Sequence, residues 1–232
     1  MNAAIIPGQI GIVVLAQGNN PSALNPDFLR ENGIVNASWD WKVSEDPITT
    51  PAMSRVAYDS GISIVAHPDR IMFADNSVQG NPDDSMIGQV ATKYVQTMIH
   101  ADYRGAGINP WCHFEVADQA QADRFNLCMV LREGKWSRYH GGPLRGSAMV
   151  EFSVRNARLM VTIEGAVFGA AGTTKPTPCV LFRGNFHRNL SGASTSERAS
   201  ELMKILSGWQ DDCKEFYSLA QLFLPEESDW WM

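Results

Sequence analysis

The sequence predicts an α+β chain with two antiparallel sheets or sub-sheets, about three main helices and a long C-terminal helix. Three observations predict it. Residues 54–58, 62–67 and 70–74 are short alternating runs joined by Asp59-Ser60-Gly61 and Pro68-Asp69, the turn chemistry of a meander. Residues 147–155, 158–166 and 179–187 form a second such set, with a hairpin around Asn156-Ala157. Finally, apolar residues recur at helical spacing over 85–98, 118–131 and from Ser194 to Leu224.

Taken in order, Gly11-Ile12-Val13-Val14-Leu15 reads as a buried strand, short, β-branched and bounded by turn residues. Asn25 can cap a two-turn helix that has Pro26 at its first position and Gly33 to close it in left-handed geometry. Val35, Ala37, Trp39, Trp41 and Val43 alternate with polar residues, which predicts a strand with both tryptophans on one face. Asp83, Asp84 and Ser85 open a helix whose apolar side is Ile87, Val90, Ala91, Tyr94, Val95 and Met98. An extended run over 104–116 precedes the 118–131 helix. Ser194 and Glu197 have the spacing of a capping box, and Pro225 stops the last helix. The expected organisation is 1–131 and 132–232, as two units or one continuous domain.

Composition bounds the function classes. The 232 residues are 44% hydrophobic and 19% charged, which excludes disorder as the main state. No run of 18 apolar residues occurs, so no membrane partner is expected, and Ile10 to Ala16 lacks the basic flank of a secretory signal. Cys112, Cys128, Cys179 and Cys213 form no CxxC pair; a reducing cytoplasm is the expected location, with neither a disulfide framework nor a metal site. No phosphate-binding loop, dinucleotide fingerprint, HExxH, GxSxG or EF-hand loop is present, so no cofactor is expected.

The net charge of −6 argues against a protein that coats nucleic acid over its whole surface, but it is unevenly spread. Residues 1–130 hold 7 cations and 14 anions, residues 131–190 hold 9 and 3, and residues 191–232 hold 3 and 8. The basic middle needs a neutralising partner. That partner is either an outside phosphate backbone or the acidic C-terminal segment folded beside it.

Three residue sets could carry function. In the loop from Arg132 to Gly146, Arg132, Lys135, Arg138 and Arg145 are mixed with Trp136 and Tyr139. Cations for phosphates and rings for bases suit single-stranded RNA. On the second sheet, alternation places Glu151, Glu164, Arg183, Asn185 and His187 on one wet face. Arg183 and His187 could extend the RNA surface. Alternatively His187 as base, Glu151 or Glu164 as acid or metal ligand and Arg183 as anion holder are the minimum for a hydrolase or transferase acting on an anionic substrate. In the last helix, Leu202, Leu206, Trp209, Cys213, Phe216, Ala220 and Phe223 follow a 4,3 spacing, a seam suited to a partner helix or to the chain's own sheet. Trp230 and Trp231 would add aromatic area to a docking tail. Cys112 and His113 point to opposite faces of an extended run and cannot act together.

Asn20-Pro21 through Leu24-Asn25-Pro26-Asp27-Phe28-Leu29, followed by Gly61 to Ala66 before Pro68 and Arg70, resembles uncharacterised bacterial hypothetical proteins across the first half of the chain. The resemblance implies no activity and no site residues. The leading expectation is a non-enzymatic cytoplasmic interaction or assembly protein, self-associating or bound to another protein, with RNA binding as the alternative.

Overall fold

Strand β1, Ile6–Gln17, sets the pattern of the molecule. Ile10, Ile12, Val14 and Ala16 are buried, while Gln9, Gly11, Val13 and Leu15 face the other way and stay half-exposed. The protein is described by a computed structural model covering residues 4–77, 81–169 and 176–224. After β1 come α1 (Pro26–Glu31), β2 (Ile48–Thr49), β3 (Ser54–Ala57), β4 (Ile62–His67), β5 (Arg70–Asp75) and α2 (Ile87–Thr97). Next are β6 (Asp102–Glu115), α3 (Gln119–Phe125), β7 (Ser147–Val154), β8 (Ala157–Phe168), β9 (Thr177–Asn189), α4 (Thr195–Ser207) and α5 (Trp209–Gln221).

The α+β class holds, but the expected two sheets are one. All nine strands form a single antiparallel sheet in the order β2-β3-β4-β5-β1-β6-β9-β8-β7. The join is the β1–β6 ladder, running from Ile6 opposite His113 to Gln17 opposite Asp102. Each of these strands opens a half of the same order: a central strand, a short helix, a meander whose last strand returns beside the first, then a covering helix. The topology therefore repeats and divides before β6, and the sheet runs through both expected segments, 1–131 and 132–232.

The helices share one face. α2, α4 and α5 pack on it, Phe28 of α1 meets Tyr94 edge-on, and Phe125 of α3 meets Phe114 and Phe182. Ile10, Ile12, Ile64, Phe73, Ile108, Leu159, Ile163 and Phe186 are fully buried between the layers. Burial of such side chains, about 2 kcal/mol each, holds the layers together. Among the described residues no helix covers the opposite face, and none is long and apolar enough to cross a membrane.

Local signals place several elements where the sequence predicts them. The Asn25 side chain accepts from the Phe28 amide, Pro26 takes the first helical position, and Gly33 closes the turn at φ +62°. The capping box of Ser194 and Glu197 is formed in both directions. Two expectations fail. Residues 35–43 are not a strand: Asn36 caps a 3₁₀ turn at Ala37–Trp39 and Asp40 turns left-handed, so Trp39 and Trp41 pack on each other at 4.6 Å. The last helix is not continuous, because the chain bends at Gly208 into α4 and α5. The bend keeps both pieces on the sheet.

Candidate functional site

The 4,3 seam of the last helices belongs to the core. Leu202, Leu206, Trp209, Cys213, Phe216 and Ala220 are at most 5% exposed, and Phe223 packs on Phe182 at 5.8 Å. Leu202, Leu206, Trp209, Phe216 and Phe223 are thus spent on the chain's own sheet and offer no seam to a partner helix. Trp230 and Trp231 lie outside the described residues.

The expected polar face across β7, β8 and β9 exists within the single sheet, but its groups are dispersed. Glu164 is bonded to Arg183 at 2.7 Å and Glu151 sits 3.8 Å from Arg158. His187 stands opposite Arg158 and contacts Asn189 at 3.0 Å. Glu164 lies six residues along β8 from Arg158, about 20 Å at the strand rise. His187, Glu151, Glu164 and Arg183 therefore share a face without converging on one reacting atom, which removes the geometry for acid–base work by that set.

The rest of this face carries a feature that the sequence reading did not single out. Trp111 lies over the backbone of Gly8, where a Cβ would collide with its ring, and donates to Gln9 Oε1 at 3.2 Å. His113, on the same side of β6, is 5% exposed and stacked under Phe168 at 4.9 Å. Burial lowers the His113 pKa, opposed by nearby Glu115, and its Nδ1 has no hydrogen-bond partner among the described residues. The pairing Trp-x-His on an extended run was the available signal. Cys112 lies on the opposite, core side, where burial pushes its thiol up; Cys179 and Cys213 are also buried and Cys128 is exposed.

Charge pairing separates the basic middle of the chain into two groups. Arg155 bonds Glu215 at 3.2 Å, and Arg188 makes a two-armed bond to buried Asp212 at 2.6 and 2.8 Å. The acidic C-terminal segment thus neutralises part of the basic island. Arg155, Arg188 and Asp212 line a cleft of about 540 Å³ at the Gly208 bend, with Asp211 also on its wall. Arg132, Lys135, Arg138 and Arg145 differ. All four are exposed, and none has an ion pair or hydrogen bond among the described residues.

These four cations sit on one projecting loop. Its base is clamped by Asn126, fully buried in the π-helical turn after α3, which donates to the carbonyls of Gly146 at 3.0 Å and Ile163 at 2.8 Å. Gly146 also packs against Leu127 and Leu131, so the two ends of the loop meet, as in an Ω-loop. The span between carries a 3₁₀ segment, Lys135–Gly141, and three left-handed residues, His140, Gly141 and Gly142. Trp136 is 46% exposed, Tyr139 74% and Leu144 90%. Rings and cations both face water, and Glu133 is the one acid among them. The buried Asn126, a polar residue beside Ala122 and Phe125 on the helix face, was the sequence signal for the clamp.

No protein-family model matches the chain, and no curated protein matches it.

Proposed function

We propose that the protein is a non-enzymatic binding protein that takes single-stranded nucleic acid, RNA in the first instance, on the 132–145 loop. The observation that carries this reading is that Arg132, Lys135, Arg138 and Arg145 have no ion pair or hydrogen bond among the described residues, on a loop that also exposes Trp136 and Tyr139. Uncompensated cations attract phosphates and gain counterion release, while exposed rings stack on unpaired bases. Confinement of the positive field to one loop fits the net charge of −6, which disfavours wrapping of a duplex. Arg183 contributes less than the sequence suggests, because Glu164 already holds it. Four unpaired cysteines support a cytoplasmic location.

The test is retention of a fluorescent single-stranded oligonucleotide across a salt series. Four phosphate contacts give log K against log salt a slope of about −3. Changing Arg132, Lys135 and Arg138 to Gln reduces that slope by about 2, and Trp136→Ala weakens binding by about 1–3 kcal/mol. No retention at low salt, or retention unchanged in the triple variant, overturns the reading.

Assembly with a second copy is the second reading. Its support no longer comes from the helix seam; it comes from the outer edge of β7, at the end of the sheet order, with which no strand pairs among the described residues.

A further inference from the structure

The two edges of the sheet are built differently. β2 is two residues long and lies between Pro47 and Pro51, so it offers little for another strand to pair with. β7 is eight residues, Ser147–Val154, in unbroken register with β8 and free of Pro, Lys and bulges. Its only charge is Glu151. The devices by which sheet proteins blunt an edge are present on one side and missing on the other.

The hairpin fixes which β7 groups face outward. Arg155 and Asn156 form a two-residue turn, both with positive φ, and the flanking pair Val154–Ala157 of such a turn exchanges both hydrogen bonds. Alternation from there commits the backbones of Val154, Phe152, Val150 and Ala148 to β8. The amides and carbonyls of Ser147, Met149, Glu151 and Ser153 point to the open edge.

We propose that β7 is a dimerisation strand, pairing antiparallel with β7 of a second copy about a two-fold axis at Val150. The proposal rests on the self-association reading and names its surface. In this register every outward residue meets an outward residue: Glu151 opposes Met149 of the second copy and Ser153 opposes its Ser147. Centring the axis on Glu151 instead would set two carboxylates face to face. On the helix side, half-exposed Val150 meets its own copy and half-exposed Phe152 meets Ala148.

Charge also favours a second copy. The basic loop ending at Gly146 adjoins the partner's hairpin tip, where Asp211, Asp212 and Glu215 outnumber Arg155 and Arg188. The two loops stand at opposite ends of the paired strands, about 25 Å apart at the strand rise, so they do not repel at close range. An edge contact of this kind buries on the order of 1,000 Å², the low end for specific association.

Sedimentation of the full chain from about 1 to 100 μM should show conversion of the 25.6 kDa species to one of twice that mass. Met149→Pro removes an outward amide without touching the β8 ladder, and it should weaken the dimer at least about tenfold while leaving the melting temperature in place. In a Cys128→Ser background, Val150→Cys should oxidise to a disulfide-linked dimer, since opposed residues of a non-hydrogen-bonded pair lie within bridging distance. Phe152→Cys should not, because it faces Ala148. A chain that stays monomeric throughout overturns both the proposal and the self-association reading. A dimer that survives Met149→Pro, or one with no Val150→Cys cross-link, overturns β7 as the surface and leaves self-association standing; the cross-link decides the matter if the proline variant misfolds.

Discussion

Ile12 and Val13 are neighbours on β1, yet one is fully buried under helices and the other half-exposed on a bare face. The same contrast repeats across the sheet, with Phe73 beside Met72 and Phe182 beside Arg183. One side of the molecule has closed on itself. The long amphipathic C-terminal stretch, which by spacing alone could serve a partner, is consumed there. On the other side Glu164 holds Arg183 and Glu151 lies near Arg158, and among the described residues it is the β7 edge and the 132–145 loop that keep backbone groups, rings and cations without a partner. An amphipathic helix is thus a poor indicator of partnership, because the spacing that suits a partner helix suits the chain's own sheet equally well.

Three substitutions sharpen this comparison, beginning with the largest effect. Asp212→Ala leaves the Arg188 guanidinium, 15% exposed, without its two-armed partner under the Gly208 bend. Chemical denaturation should register a loss of about 3–5 kcal/mol, the cost of a buried unpaired charge. Gly88→Ala is next. A Cβ on this buried residue of α2 would overlap the Trp209 indole, so the helices must part, at about 1–3 kcal/mol. If this variant matched the parent in stability, the close approach of α2 and α5 would not be a determinant of the covered side.

The smallest effect probes the exception to the comparison, His113, which is buried although it lies on the bare face. Burial holds its folded-state pKa below the ordinary 6.5, so the unfolded chain takes up the proton first as pH falls. The contribution of the neutral ring is complete above about 6.5 and is lost progressively below it. His113→Phe keeps the stack under Phe168 and should flatten the decline in stability between pH 7 and pH 5. An unchanged pH profile would show that this imidazole titrates freely.

What the sequence made legible was local. Asn25, Pro26 and Gly33 specify α1 within nine residues, and Asp59-Ser60-Gly61 and Pro68-Asp69 close the β3–β4 and β4–β5 hairpins, while the β7–β8 turn falls one residue earlier than expected, at Arg155-Asn156. The union of the two halves was not legible, because the β1–β6 ladder joins residues some hundred positions apart and leaves no periodic mark on either strand. Residues 35–43 misled for the opposite reason. Their alternation is real, but Asn36 and Asp40 supply turn geometry, and apart from the bridge of Val43 to Tyr58 no strand is there to pair with. At the candidate site, residue types and their clustering could be read directly. Which cations Asp212, Glu215, Glu151 and Glu164 would claim could not, since each pairing depends on the fold.

The central ladder also sets an order of events during synthesis. β1 emerges first, yet one neighbour, β5, follows about 60 residues later and the other, β6, about 95. At about 5–20 residues per second, this apolar strand waits several seconds or more on the ribosome before both flanks are occupied. The stretch that anchors the finished sheet is therefore exposed while the nascent chain is incomplete, and a chaperone that shields Ile10 to Ala16 would act during that interval.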